Sequence, residues 1–328
     1  MRRIVLTLLL SMFIGPASAG AQAPRSRVPI PAGWPRHLAL GAADSPGDAQ
    51  ALRARSGADM RYQYLAGGVN TGHGWATWNP NGSFVSMYVR ESFAAHTIPV
   101  FTYYQLLQSA PSAGSTEQAR DLSNLRNPAT MRAYWADYKL LLRRVGAAAR
   151  SRLVVIHVEP DLWGYLEQAN ATRLARSFAQ RLIALRNRLA PHVRLAWHLS
   201  VWGTKEDPTY SKPSLQHMDE LAGQSAAFYA SLHAHFDLVF NDVTDRDADF
   251  YKDIEGNPHT WWGPGDFVRH DRYIAGSPAG PTPRWFCGSC RSATRMRTTP
   301  GTTSATIACS GGSGRTPPPT CGPPATPA

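Results

Sequence analysis

The sequence predicts an α/β fold: a (β/α)8-type TIM barrel, incomplete, with about six β/α units visible and a disordered C-terminal tail. Three observations predict it. Short β-type apolar runs alternate with helix-type stretches from residue 36 to 275, the rhythm of parallel β/α units. No glycine-rich phosphate turn follows the first strand, which argues for a closed barrel over an open nucleotide-binding sheet. Polar and aromatic residues stand at the carboxyl end of nearly every strand, where barrels build their sites.

Taken in order, HLALGA (37–42) is the first strand, followed by a Gly/Pro/Asp turn and a short helix over 48–55. MRYQYLAG (60–67) is the second, with the aromatic loop GVNTGHGWATWNPNG after it and a helix over 83–95. IPVFTYYQLLQ (98–108) is the third. Asn127 caps and Pro128 opens a long helix running to Ala149. LVVIHVEPD (153–161), the fourth strand, is continuous and β-branched, as a strand covered on both faces should be. Leu174, Phe178, Leu182, Leu185 and Leu189 form a helical stripe over 171–189. VRLAWHLSVWG (193–203) is the fifth strand, a helix covers 217–235, and FDLVFND (236–242) is the sixth. Without a closing pair, the first and sixth strands would be unpaired edges.

The chain of 328 residues is 43% apolar and 10% aromatic, enough for a sizeable core and against wholesale disorder. Its start, MRRIVLTLLLSMFIGPASAG, has a basic head, an apolar stretch and the small-residue site Ala17-Ser18-Ala19. That pattern predicts a signal peptide over 1–19, cut near Ala19, and a secreted protein, extracellular or periplasmic. The apolar stretch is too short to span a bilayer, so no stable membrane insertion is expected. Residues 20–35 read as an extended lead-in. The net charge is +11, but Arg2 and Arg3 belong to the signal, and residues 276–328 hold five Arg without Asp or Glu. Taking those seven away leaves +4 on the body, with no basic run, and no nucleic-acid partner is expected. The sequence does not indicate an oligomeric state.

From 276 the texture changes to 10 Pro, 8 Gly and 10 Thr in 53 residues, and all four cysteines (287, 290, 309, 321) lie here. A disordered tail fits this composition. A zinc or redox site on Cys287 and Cys290 is the sharper alternative, but the spacing to the second pair is irregular. A third reading is a frameshift product: synonymous codons for 285–314, read in a shifted frame, yield an apolar strand and a helix-like stretch. No cofactor is expected.

The segment HVEPDLWGYLEQ (157–168) carries the most chemistry. Period-two alternation puts His157 and Glu159 on one face of the fourth strand, with Glu159 at its mouth and Asp161 in the following loop. A carboxyl held partly dry beside aromatic rings suits a general acid for sugar hydrolysis. Asp242 closes the sixth strand and is the other candidate for second carboxylate. The catalytic candidates are therefore Glu159, Asp242 and Asp161. Trp163, Trp197, His198, Tyr103, Gln105 and Trp78 are candidates for substrate binding, the tryptophans as sugar platforms. His157, Glu159, His198 and Asp242 are also the donor types of a zinc or manganese centre, though no paired-His spacing appears.

With these residues, the stretch 36–275 resembles secreted TIM-barrel glycoside hydrolases. It also resembles an uncharacterised glycoside-hydrolase-like group with a Glu-Pro-Asp-x-Trp-Gly segment, here Glu159 to Gly164. In the large retaining clan of barrel glycosidases the end of strand four carries the acid/base, which by position falls on Glu159. The clan's Asn-Glu pair reads Val158-Glu159 here, and its strand-seven nucleophile has no counterpart in this chain. The resemblance implies a secreted glycoside hydrolase acting on a polysaccharide or glycan. The alternatives are a non-catalytic glycan-binding barrel and, third, a metal-dependent hydrolase.

Overall fold

The computed structural model describes residues 32–37, 39–206, 211–241, 256 and 263–277, together with the backbone of 285–290 and 305–310. Eight strands make one parallel sheet: β1 (Leu40–Ala43), β2 (Met60–Leu65), β3 (Ile98–Tyr103), β4 (Val154–Val158), β5 (Val193–Leu199), β6 (Leu238–Asn241), β7 (Trp285–Cys290) and β8 (Ala305–Ser310). The hydrogen-bonded order is β6-β5-β4-β3-β2-β1-β8-β7, and β7 comes back against β6. The helices are α1 (Ala49–Ser56), α2 (Ser83–Ala94), α3 (Glu117–Arg126), α4 (Pro128–Ala149), α5 (Pro160–Gln168), α6 (Thr172–Leu189), α7 (Leu215–Ser231) and α8 (Pro264–Gly276). This is the alternating β/α barrel architecture that the rhythm predicts.

Strand alternation sorts the side chains into two layers. Val100, Val155, Ala196, Leu238 and Phe240 meet inside with Trp34 and Met60. Their neighbours Phe101, Ile156, Leu195 and Val239 face outward and join the larger core beneath the helices, with Tyr138, Leu141, Phe178 and Leu182. The helix starts are chemically explicit. The Asn127 side chain accepts from the amides of Ala129 and Thr130 ahead of Pro128, and Thr116 and Ser214 cap α3 and α7 in the same way.

Several expectations change. The sequence gives no sign of α3, α5 or α8. The fourth strand stops at Val158, and Pro160 is the first residue of a helix where a loop was expected. Residues 201–203, read as the end of the fifth strand, belong instead to a 3-10 turn, Val201–Thr204. β1 is not an open edge, since Leu40 pairs with Ala308 and Gly41 with Cys309. β7 and β8 fall inside the Pro/Gly/Thr-rich stretch. The rest of that stretch, the signal peptide and most of the lead-in lie outside the described residues. Among the described residues no helix is long and apolar enough to cross a membrane.

Candidate active site

β4 delivers Glu159 to the carboxyl end of the barrel, but not facing its mouth. The residue sits at φ 44°, ψ 67°, left-handed backbone that a side chain with a Cβ adopts only under strain. The turn takes Glu159 out of the alternation that His157 obeys. Its carboxyl group instead accepts from the amides of Gln105 (3.1 and 3.2 Å) and Leu106 (3.3 Å to each oxygen), with the Tyr134 hydroxyl beside it. Glu159 is 1% exposed. Burial, then the neighbouring Asp121 charge, pushes its carboxyl well above the usual range, although the two amides pull the other way. Expected as the acid that meets a sugar, Glu159 is a buried tie between β4 and the segment after β3.

The neighbour Asp121, on α3, carries no sequence signal. It is 1% exposed, and neither of its oxygens has a hydrogen-bond partner among the described residues. Burial, then the charges of Asp161 and Glu117, raises it to about 8, with Arg120 opposing. Asp121 thus holds its proton at neutral pH. The sign for stability follows: the unfolded carboxyl ionises near 3.8, so folding weakens as pH rises from there through about 8. The gap corresponds to roughly 6 kcal/mol at most. Asp121→Asn is expected to raise the melting temperature markedly at pH 8 and little at pH 4; equal shifts at both would contradict this placement.

Asp161, in the first turn of α5, is the half-buried carboxyl of the group. It accepts from the Tyr104 hydroxyl at 3.0 Å. Its charge is also felt by Tyr165, whose hydroxyl donates to Glu117 at 2.7 Å and whose ring lies 5.0 Å from that of Trp202. Asp161 therefore holds the Tyr104 phenol directly and acts through its charge on Tyr165, one turn along α5. Of the expected carboxyl residues, the structure brings together Glu159 and Asp161 and adds Asp121 and Glu117. Asp242 lies outside the described residues.

His198 is buried on the inner face of β5, its Nδ1 3.0 Å from Nε2 of His157, with the two rings stacked and Phe240 against His157. Of the proposed metal set, His157 and His198 meet each other, whereas the Glu159 carboxyl is taken up by the amides of Gln105 and Leu106; Asp242 is outside the described residues. Among the described residues no group of three or more His, Cys, Asp or Glu side chains is arranged to hold a metal ion.

The aromatic platforms need the largest correction. Trp163 and Trp197 are completely buried: Trp163 donates to the Val158 carbonyl at 2.8 Å, and Trp197 packs edge-on against Tyr229 on the outer face of β5. Tyr103 is likewise buried and donates to Asp137 at 2.6 Å, next to the Trp75 indole, which donates to the same oxygen at 2.7 Å. Gln105 is buried and donates to the Leu65 carbonyl at 2.7 Å. None of these four can meet a sugar. Trp78 keeps part of its surface, resting edge-on against Phe84. Tyr64, 47% exposed on β2, and the half-buried Tyr165–Trp202 pair are among the accessible rings of the described residues.

No protein-family model matches this chain, and no curated protein does. Solved structures similar to it include a variant of the citrate synthase SbnG, at 11% identity and TM-score 0.34, covering 76% of each chain. Another is a D-psicose 3-epimerase determined with D-fructose, at 12% identity and TM-score 0.43, covering 83% of this chain and 85% of that one. A third is the GH26-CBM35 β-(1,4)-mannanase of Podospora anserina, at 13% identity and TM-score 0.43. That match covers 84% of this chain but 56% of the mannanase. At such values their activities do not transfer, and the architecture rests on the strand pairing itself.

Proposed function

We propose that the protein hydrolyses glycosidic bonds in a glycan, with Asp161 meeting the substrate and Asp121 holding a proton behind it. The observation that carries this reading is the pairing of a buried, protonated carboxyl with a half-buried one beside Tyr104, Tyr165 and Trp202. Two carboxyl groups in unlike surroundings offer a proton donor and an acceptor at the same pH. Half-buried rings offer the flat apolar surface that a pyranose face covers. Glu159 is a positioning residue: its ties to Gln105 and Leu106 fix the end of β3, and so Tyr104, against β4.

The test is release of reducing ends from a panel of polysaccharides and aryl glycosides, followed from pH 5 to 10. Turnover should fall as pH rises through about 8, and Asp121→Asn, which has no proton to give, should abolish it. The near-complete burial of Glu159 and Asp121 favours a second reading, a barrel that binds glycan without cleaving it. Glycan binding with no reducing ends across the panel would establish that reading in place of the first.

A further inference from the structure

A cavity of about 470 Å³ opens at the far end of α5, lined by Glu167, Asn170, Thr204, Lys205, Gln224 and Phe228 among others. Glu167 lies six positions after Asp161 on α5, so the cavity lies roughly 9 Å along the helix from the candidate mouth. Trp202 stands between them, its ring seated over Gly164, where a Cβ would come within 2.5 Å of the indole. One Glu167 oxygen accepts from the Ser225 hydroxyl at 2.8 Å. The other lies against Gly203, where a Cβ would stand 2.5 Å away. Glycine at 203 leaves that carboxyl the room to face the cavity. Burial lifts Glu167 to about 7, against the Ser225 hydrogen bond.

The lining selects a class of ligand. A carboxyl group opposes anions, and the Lys205 ammonium opposes cations. Amides of Asn170 and Gln224, the Thr204 hydroxyl and the Glu167 carboxyl supply donors and acceptors, beside the partly apolar face of Ala227 and Phe228. We infer that this cavity is a second saccharide site, taking one neutral pyranose unit past the Tyr165–Trp202 pair. Binding there requires no cleavage, so the inference stands or falls apart from the proposed hydrolysis.

The experiment titrates the full chain bearing Asp161→Asn with D-glucose, D-galactose and D-mannose, read by saturation-transfer NMR, with glucosamine and glucuronate as charged comparisons. At least one neutral hexose should bind in the millimolar range. Ala227→Trp, at an exposed position on the rim, should weaken it at least about ten-fold while leaving the melting temperature near that of the parent. Gln224→Leu, also exposed, serves as an independent second variant with the same expected direction. Binding that both variants leave intact but Tyr104→Phe abolishes would place the sugar at the mouth and overturn the inference. So would the absence of binding by all three hexoses, or tighter binding of either charged sugar.

Discussion

Asp161→Asn is expected to lower glycan turnover by roughly 10²–10⁴-fold, with glycan affinity nearly unchanged. Asparagine keeps the shape of the side chain and still accepts from Tyr104, which donates to Asp161 at 3.0 Å. It cannot give or take the proton that the chemistry needs. Because the residue is half-buried at the start of α5, the exchange should cost little stability. Glu159→Gln makes the informative contrast. Burial already drives Glu159 toward its neutral form, so a neutral isostere should leave turnover within a few-fold of the parent. Steady-state rates for the two variants, with affinity measured separately, decide between them. A collapse in Glu159→Gln with Asp161→Asn unaffected would return the chemistry to Glu159 and sink the assignment made here.

The second large effect concerns folding. Arg61→Met is expected to destabilise the barrel by about 3–5 kcal/mol, lowering the melting temperature by about 10 °C. Arg61 is completely buried on β2. Its Nε donates to Asp44 at 2.7 Å, its Nη1 lies 3.2 Å from Glu91, and its Nη2 donates to the Ser45 carbonyl at 3.0 Å. The guanidinium lies 3.9 Å over the Tyr88 ring, and the Tyr88 hydroxyl donates to the same Asp44 oxygen at 2.9 Å. Removing the cation would leave Asp44, already raised by burial, as an uncompensated carboxyl in the core. Arg61→Met combined with Asp44→Leu should recover much of the loss. Thermal melts of the single and double variants measure both effects, and additive losses would refute the coupling.

Local, apolar signals in the sequence carried most of the architecture. Six strands are short runs rich in apolar, aromatic or β-branched residues between turn formers, and α4 announces itself through Asn127 and Pro128. α3 does not, because what holds it is polar: Thr116 caps it, and buried Asn124 donates to the carbonyls of Leu106 and Ser109 at 2.6 and 2.8 Å. A hydrophobic period cannot reveal such a helix, and Asp121 was hidden with it. Trp197 was readable. It shares the parity of Leu195 and Leu199, so the alternation that assigns Leu195 to the core assigns Trp197 there too. Glu159 was not readable, since parity would set it beside His157 and only the left-handed backbone at 159 reverses that. Asp161 was read as a loop residue; that Pro160 starts a helix is a tertiary outcome, fixed in part by the Trp163 bond to the Val158 carbonyl.

The ring of strands is unevenly stitched. Six residue pairs join β2 to β3, two join β1 to β8, and among the described residues no ladder joins β6 to β7. Amide protons along β3 and β4 should therefore outlast those of β1 and β6 in deuterium exchange, with breathing confined to one side of the wall. The carboxyl cluster at β3 and β4 sits on the slow-exchanging half, so the proposed site is anchored where the scaffold opens least.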